Sequence, residues 1–181
     1  MANTHKNTNL QNNITKESIF IALMILMKKK DFKEISITEL TKKAGVSRMA
    51  FYRSYNIKED IIATYIDELF QEYSKEIFSK KNIDNFDNLR LYFSYFRKHE
   101  TLISNLIKSN LINILLEKCI ASFYTLSEDV ECNKSYSPEK QKFWIQYMAG
   151  GLYNVLIEWA KNGMKQSDEY MAKIASDFIN N

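Results

Sequence analysis

The sequence predicts an all-α protein of about nine helices, and three observations carry that prediction. Apolar residues recur at three-and-four spacing through most of the 181 residues, which lines one face of a helix. Glycine (4) and proline (1) are scarce, and no run alternates Val, Ile and Thr as a half-buried strand would. Apolar residues make up 45% of the chain, enough for a core in one large domain or two small ones.

Residues 1–13 are polar and rich in Asn, and a disordered N-terminal arm is expected there. The first helix is expected to begin at Thr15 as N-cap, with Ile14 and Ile19 at hydrophobic-staple spacing. Ile19 to Met27 is so densely apolar that neighbours are expected on most sides of it. Nine apolar residues are too few to span a bilayer. They show no cleavage-like run of small residues, so a cytoplasmic protein with no membrane partner is expected. Lys28, Lys29 and Lys30 fall in the last turn, where cations favour the helix dipole.

The stretch Ser36 to Asp60 is the most specific part of the chain. Ser36 and Glu39 have capping-box spacing, and Ile37, Leu40 and Ala44 follow on one helical face. Gly45 can take the left-handed conformation that ends a helix. Ser47 is a second N-cap, and a short helix from Arg48 to about Arg53 would turn Arg48, Met49, Tyr52 and Arg53 outward and Phe51 inward. That makes a helix-turn-helix suited to double-stranded DNA. An Arg can bond guanine N7 and O6 together, Met49 or the Tyr52 ring can touch a thymine methyl, and the Tyr52 hydroxyl can reach a phosphate. Asn56 and Glu59 repeat the capping spacing for the next helix, whose first turn holds Lys58 and backbone N–H groups able to meet a phosphate. Any one of these residues alone is ordinary solvated helix surface. Their order together is what points to DNA, with Ser36, Thr38, Ser47, Arg48, Met49, Tyr52, Arg53 and Lys58 as the contact set.

Charge placement agrees. Residues 1–60 hold 11 Lys/Arg against 6 Asp/Glu, a balance of +5, whereas residues 61–181 hold 14 against 16, a balance of −2. The basic part coincides with the motif, as a local phosphate footprint requires.

The segment AGVSRMAFYRSYNIKEDI resembles the DNA-binding signature of TetR-type transcriptional regulators. Ile19, Ala22, Leu26, Phe32 and Leu40 fall at that family's apolar positions, and the match covers roughly residues 14–64. Three residues depart from it: Asp31 stands where a glycine usually closes the first helix, Ser54 where His is common, and Tyr55 where Phe is common. The resemblance implies a helix-turn-helix domain at 14–60 and a helical domain at 61–181 for regulation, ligand binding and dimerisation.

Apolar spacing from Ile61 to Phe78 predicts one helix from Lys58 to about Lys80, a rod that leaves the reader and enters the second domain. An aromatic helix follows over Phe86 to Lys98, then helices over Leu102 to Ile107 and Leu111 to Leu126. Glu128 to Pro138 is expected to be a loop, with Ser137 capping a helix that stops at Asn162-Gly163, and Ser167 to about Ile179 closes the chain. Tyr92, Tyr95, Phe96, Phe123, Phe143 and Tyr147 are the aromatics placed to line the effector pocket that the resemblance implies. Aromatics at this spacing also make ordinary core.

Gly150-Gly151 in mid-helix should cost about 1 kcal/mol per residue relative to Ala, so close approach of a ligand or another helix is expected there. The segment FWIQYMAGGLYNVLIEWAKNG resembles the C-terminal region of one TetR subgroup, where it pairs with its copy across a two-fold axis. That implies a homodimer interface including Gly150, Tyr153, Asn154 and Ile157. Two recognition helices reading a palindrome independently favour a dimer.

Cys119 and Cys132 lie thirteen residues apart without a Cys-x-x-Cys or His partner, and His5 and His99 are the only histidines. No Gly-rich phosphate loop is present. No catalytic residue, metal or cofactor is therefore expected. The reading is a regulator, usually a repressor in this family, released from its operator by a small-molecule effector of unidentified nature. The alternative is a regulator controlled by a protein docking on its helical domain.

Overall fold

The computed structural model describes residues 2–79, 84–129 and 136–180, with side chains described over 11–79, 84–125 and 136–179. Among these residues the chain is all-helical, with nine α-helices and no strand. It divides into two compact units, residues 1–65 and 66–181.

The first unit contains α1 (Ala2–Met27), α2 (Ile37–Ala44), α3 (Arg48–Tyr52) and the start of α4 (Lys58–Ser79). Its core is Ile19, Leu23, Met27, Phe32, Ile35, Leu40, Phe51, Ile61 and Ile62, each at most 3% exposed. α1 packs along α2, and α2 meets α3 across the turn.

Two expectations about α1 are corrected. It starts at Ala2, so the segment expected as a disordered arm continues the helix, and Thr15 caps nothing: its Oγ1 donates to the Gln11 carbonyl one turn back. Extending a helix already nucleated costs little per residue, and the Asn-rich composition does not stop it. The apolar run Ile19 to Met27 is covered on most sides, as its density predicts, with Ile21 (49%) and Ile25 (37%) facing outward. Asp31 stands at φ −65°, ψ 141°, an extended conformation in which glycine has no advantage.

The second unit holds the rest of α4, then α5 (Asn85–Arg97), α6 (Glu100–Lys108), α7 (Ile112–Asp129), α8 (Pro138–Lys161) and α9 (Asp168–Asn180). α5 lies along α9, α7 along α8, and α6 against both α7 and α8. Asp84 caps α5 through the Asp87 N–H at 2.7 Å, and Ser137 caps α8 through the Lys140 N–H at 3.3 Å with Pro138 in its first turn. Gly163 at φ 72° ends α8: Met164 N donates to Trp159 O at 2.9 Å and Gly163 N to Ala160 O at 3.0 Å, which satisfies the last carbonyls. Arg97 holds the α8–α9 turn. It donates to Asp168 Oδ1 at 2.6 Å, Met164 O at 2.8 Å and Gln166 O at 2.5 Å, with its guanidinium 4.6 Å over the Trp159 ring. Of the expected loop Glu128 to Pro138, positions 130–135 lie outside the described residues, and Cys132 with them.

Candidate functional site

α2, its turn and α3 are built by three local devices. Ser36 Oγ accepts from Glu39 N at 3.1 Å and starts α2. The Glu39 carboxylate pairs with Lys30 rather than with the Ser36 N–H, so one arm of the expected capping box ties α2 to the end of α1. Gly45 at φ 69° ends α2, with Val46 N donating to Thr41 O at 3.0 Å and Gly45 N to Lys42 O at 3.3 Å. Ser47 Oγ then accepts from Ala50 N at 3.1 Å and starts α3.

α3 is anchored from below by Phe51, fully buried, whose ring meets Tyr52 edge-on at 5.1 Å and Tyr55 at 5.7 Å. Arg48, Met49, Tyr52 and Arg53 all point to solvent, Met49 at 80% exposure. Among the described residues neither Arg48 nor Arg53 has an ion-pair partner. Ser36, Thr38 and Ser47 are exposed as well, and each capping hydroxyl keeps its own hydrogen to donate. The arrangement thus presents two unpaired guanidiniums, two apolar contact groups and three hydroxyls on a rigid support.

Lys58 does not join that surface group. Its ammonium donates to Phe32 O at 2.8 Å and Ile35 O at 2.5 Å, and lies 4.6 Å over the Phe32 ring. Burial pulls its pKa below the ordinary lysine value. The first turn of α4 is occupied too: Asp60 Oδ2 accepts from Asn56 N at 2.8 Å and Ile57 N at 3.0 Å. α4 begins at Lys58, so the residue placed to reach back is Asp60, and the Asn56–Glu59 capping expected from sequence is not formed.

In the second unit the six candidate pocket aromatics are not brought together. Tyr92, Tyr95 and Phe96 are buried in a cluster with Phe70 and Tyr73, where Tyr95 donates to Leu69 O at 3.0 Å. Phe123 is half-buried, whereas Phe143 and Tyr147 stand 66% and 71% exposed on α8. The candidate dimer residues divide the opposite way. Tyr153 and Ile157 are buried, Tyr153 donating to Ile112 O of α7 at 3.4 Å, whereas Asn154 is exposed and Gly150 half-buried. The outward face of α8 is Phe143, Tyr147, Gly151, Asn154 and Glu158, and α9 adds exposed Tyr170 and Phe178. Sequence reasoning missed Tyr170 and Phe178, although their eight-residue spacing on one helix was the available signal.

Burial raises the Tyr73, Tyr92 and Tyr153 hydroxyl pKa values and pushes the Cys119 thiol up to about 12, so all four are neutral at neutral pH. Among the described residues no group of three His, Cys, Asp or Glu is placed to hold a metal ion. No described helix is long and apolar enough to cross a membrane.

Residues 84–181 match the family model described as a transcriptional regulator C-terminal region. A comparison with curated proteins finds no match. Among solved structures, the chain is similar to Lin0861 from Listeria innocua, with a TM-score of 0.79 at 20% identity over 94% of this chain and 92% of that one. It is also similar to a TetR transcriptional regulator from Streptococcus agalactiae 2603V, with a TM-score of 0.65 at 20% identity over 97% and 98%. A third similar structure is the regulator FadR from Bacillus subtilis in complex with stearoyl-CoA, with a TM-score of 0.57 at 15% identity over 88% and 94%. At these identities the solved structures establish the fold.

Proposed function

We propose, from the premise that this chain belongs to the TetR family of transcriptional regulators, that it is a homodimeric repressor acting in the cytoplasm. It binds a palindromic operator and leaves it when a small molecule enters the second unit. The observation that carries the DNA-binding part is α3 itself: Arg48, Met49, Tyr52 and Arg53 exposed above the buried Phe51, with both guanidiniums free of ion pairs among the described residues. Arg48, Met49 and Tyr52 read bases, and Ser36, Thr38, Ser47 and Arg53 hold phosphates. Lys58 supports the reader from within, through the Phe32 and Ile35 carbonyls.

Dimerisation supplies the second recognition helix that a two-fold operator needs. The exposed face Phe143, Tyr147, Gly151 and Asn154 of α8, with Tyr170 and Phe178 of α9, supports that role better than the buried Tyr153 and Ile157 do. α4 runs across the boundary of the two units, which falls between Tyr65 and Ile66 in the chain, and it is the element through which effector binding would reach α3.

The test is direct. Purified protein should retard DNA from upstream of its own gene, and Arg48→Ala with Tyr52→Ala should weaken that binding by about 100-fold at moderate salt while the helical circular dichroism is unchanged. Specific binding that survives both substitutions would sink the assignment.

A further inference from the structure

The interior of the second unit contains polar groups that its own packing leaves unpaired. Tyr92 is 3% exposed, and among the described residues its hydroxyl has no hydrogen-bond partner; the Asn88 Oδ1 atom, also buried, has none among them either. Natural cores pair nearly all such groups, because an unpaired one forfeits its hydration with nothing in return. The two residues are four apart on α5, so they lie on one helical face, one turn from each other.

Around Tyr92 the surroundings are aromatic and neutral. Its ring lies 4.8 Å from Phe96, 5.2 Å from Phe93 and 6.2 Å from Tyr73. The Tyr73 hydroxyl and the Cys119 thiol are within electrostatic reach of its own hydroxyl. Among the described residues no Asp, Glu, Lys, Arg or His is fully buried. The ion pairs Asp67–Lys118, Asp87–Arg90 and Arg97–Asp168 of this unit each keep at least a quarter of each side chain in solvent. A charged group brought to Tyr92 would lose its hydration and find no fully buried counter-charge among the described residues, whereas a neutral polar group would find a hydroxyl and a carbonyl waiting.

We propose that the Tyr92 hydroxyl and the Asn88 side-chain carbonyl are the recognition point of the effector, and that the effector is an uncharged, mainly aromatic or apolar molecule bearing a hydroxyl or primary amide. Either group carries both a donor, for Asn88 Oδ1, and an acceptor, for the Tyr92 hydroxyl one turn along the same face. This assignment rests on the effector-released repressor proposed above and adds the chemical class that such an effector must have.

Full-length protein is titrated by equilibrium dialysis with three probes of one shape: 2-naphthol, 2-naphthoate and 2-naphthylmethylammonium. The neutral probe is expected to bind about tenfold tighter than either ion, and Tyr92→Phe to weaken 2-naphthol by about tenfold, the loss typical of one buried hydrogen bond. Equal binding of an ion, indifference of 2-naphthol to Tyr92→Phe, or no binding of 2-naphthol up to its solubility overturns the site. The same titration on the protein–DNA complex separates the two proposals. Release of DNA by 2-naphthol supports both, whereas 2-naphthol bound at Tyr92 with the complex intact keeps the recognition point and overturns its role as an effector site.

Discussion

The ammonium of Lys58 shows how the environment of a single residue redefines its role. A lysine in the first turn of a helix beside a DNA reader suggests a phosphate contact, yet its donors go to Phe32 O and Ile35 O. Those two residues are only 3% and 1% exposed, so water cannot replace the lysine. Lys58→Met keeps the aliphatic stem and the contact with the Phe32 ring while removing the donors. It is expected to cost about 1–3 kcal/mol of stability, measured by urea unfolding. The salt dependence of DNA binding, for the fraction that stays folded, should not change. A variant of unchanged stability whose salt slope is shallower by about one would return Lys58 to the phosphate-contact set. The devices at Ser36, Gly45 and Ser47 were legible in the sequence because each is a contact within a few residues of chain. The carbonyls that hold Lys58 lie 23 and 26 residues away, and no local spacing announces them.

At the scale of one element, α8 decides between the two uses assigned to the second unit. Its sequence alone permits either face to be the outward one, since aromatic residues occur on both. In the structure Ile145, Ala149, Leu152, Tyr153, Leu156 and Ile157 turn inward, leaving Phe143, Tyr147, Gly151, Asn154 and Glu158 outward. A shift of one or two residues moves a side chain by about 100–200° around a helix. That is why Tyr153 and Ile157 exchange places with Phe143 and Tyr147 relative to the sequence expectation. A Cβ added at Gly150 or Gly151 would meet nothing within 4 Å in the protomer, so packing within one chain does not require these glycines. Close approach of a second copy would. On the proposed dimer, the unsubstituted protein is expected to sediment as a dimer, and Phe143→Glu with Tyr147→Glu to leave the helix content intact and give monomers in sedimentation velocity. Operator affinity should fall with it. A dimer that persists would exclude this face as the interface.

The whole molecule divides its charge as it divides its structure. The first unit carries +5 and the second −2, the same balances as residues 1–60 and 61–181, because positions 61–65 hold no charged residue. DNA binding by the first unit should therefore weaken linearly in log salt, with a slope of about −0.9 per phosphate neutralised. Arg53→Ala should make that slope shallower by about one. Retardation assays from low to moderate salt measure it, and an unchanged slope would remove Arg53 from the phosphate contacts. The helical class, the order of the helices, the helix-turn-helix from Ser36 to Arg53 and the resemblance to the family were legible in the chain, because periodicity, caps and glycine turns are encoded over a few residues. Packing of distant segments sets the rest: Lys58 serves the interior, α1 runs from Ala2, one face of α8 looks outward, and the Tyr92 hydroxyl and Asn88 Oδ1 are buried without partners among the described residues. Each of those depends on which distant segments pack against a residue, and that is settled only when the whole core closes.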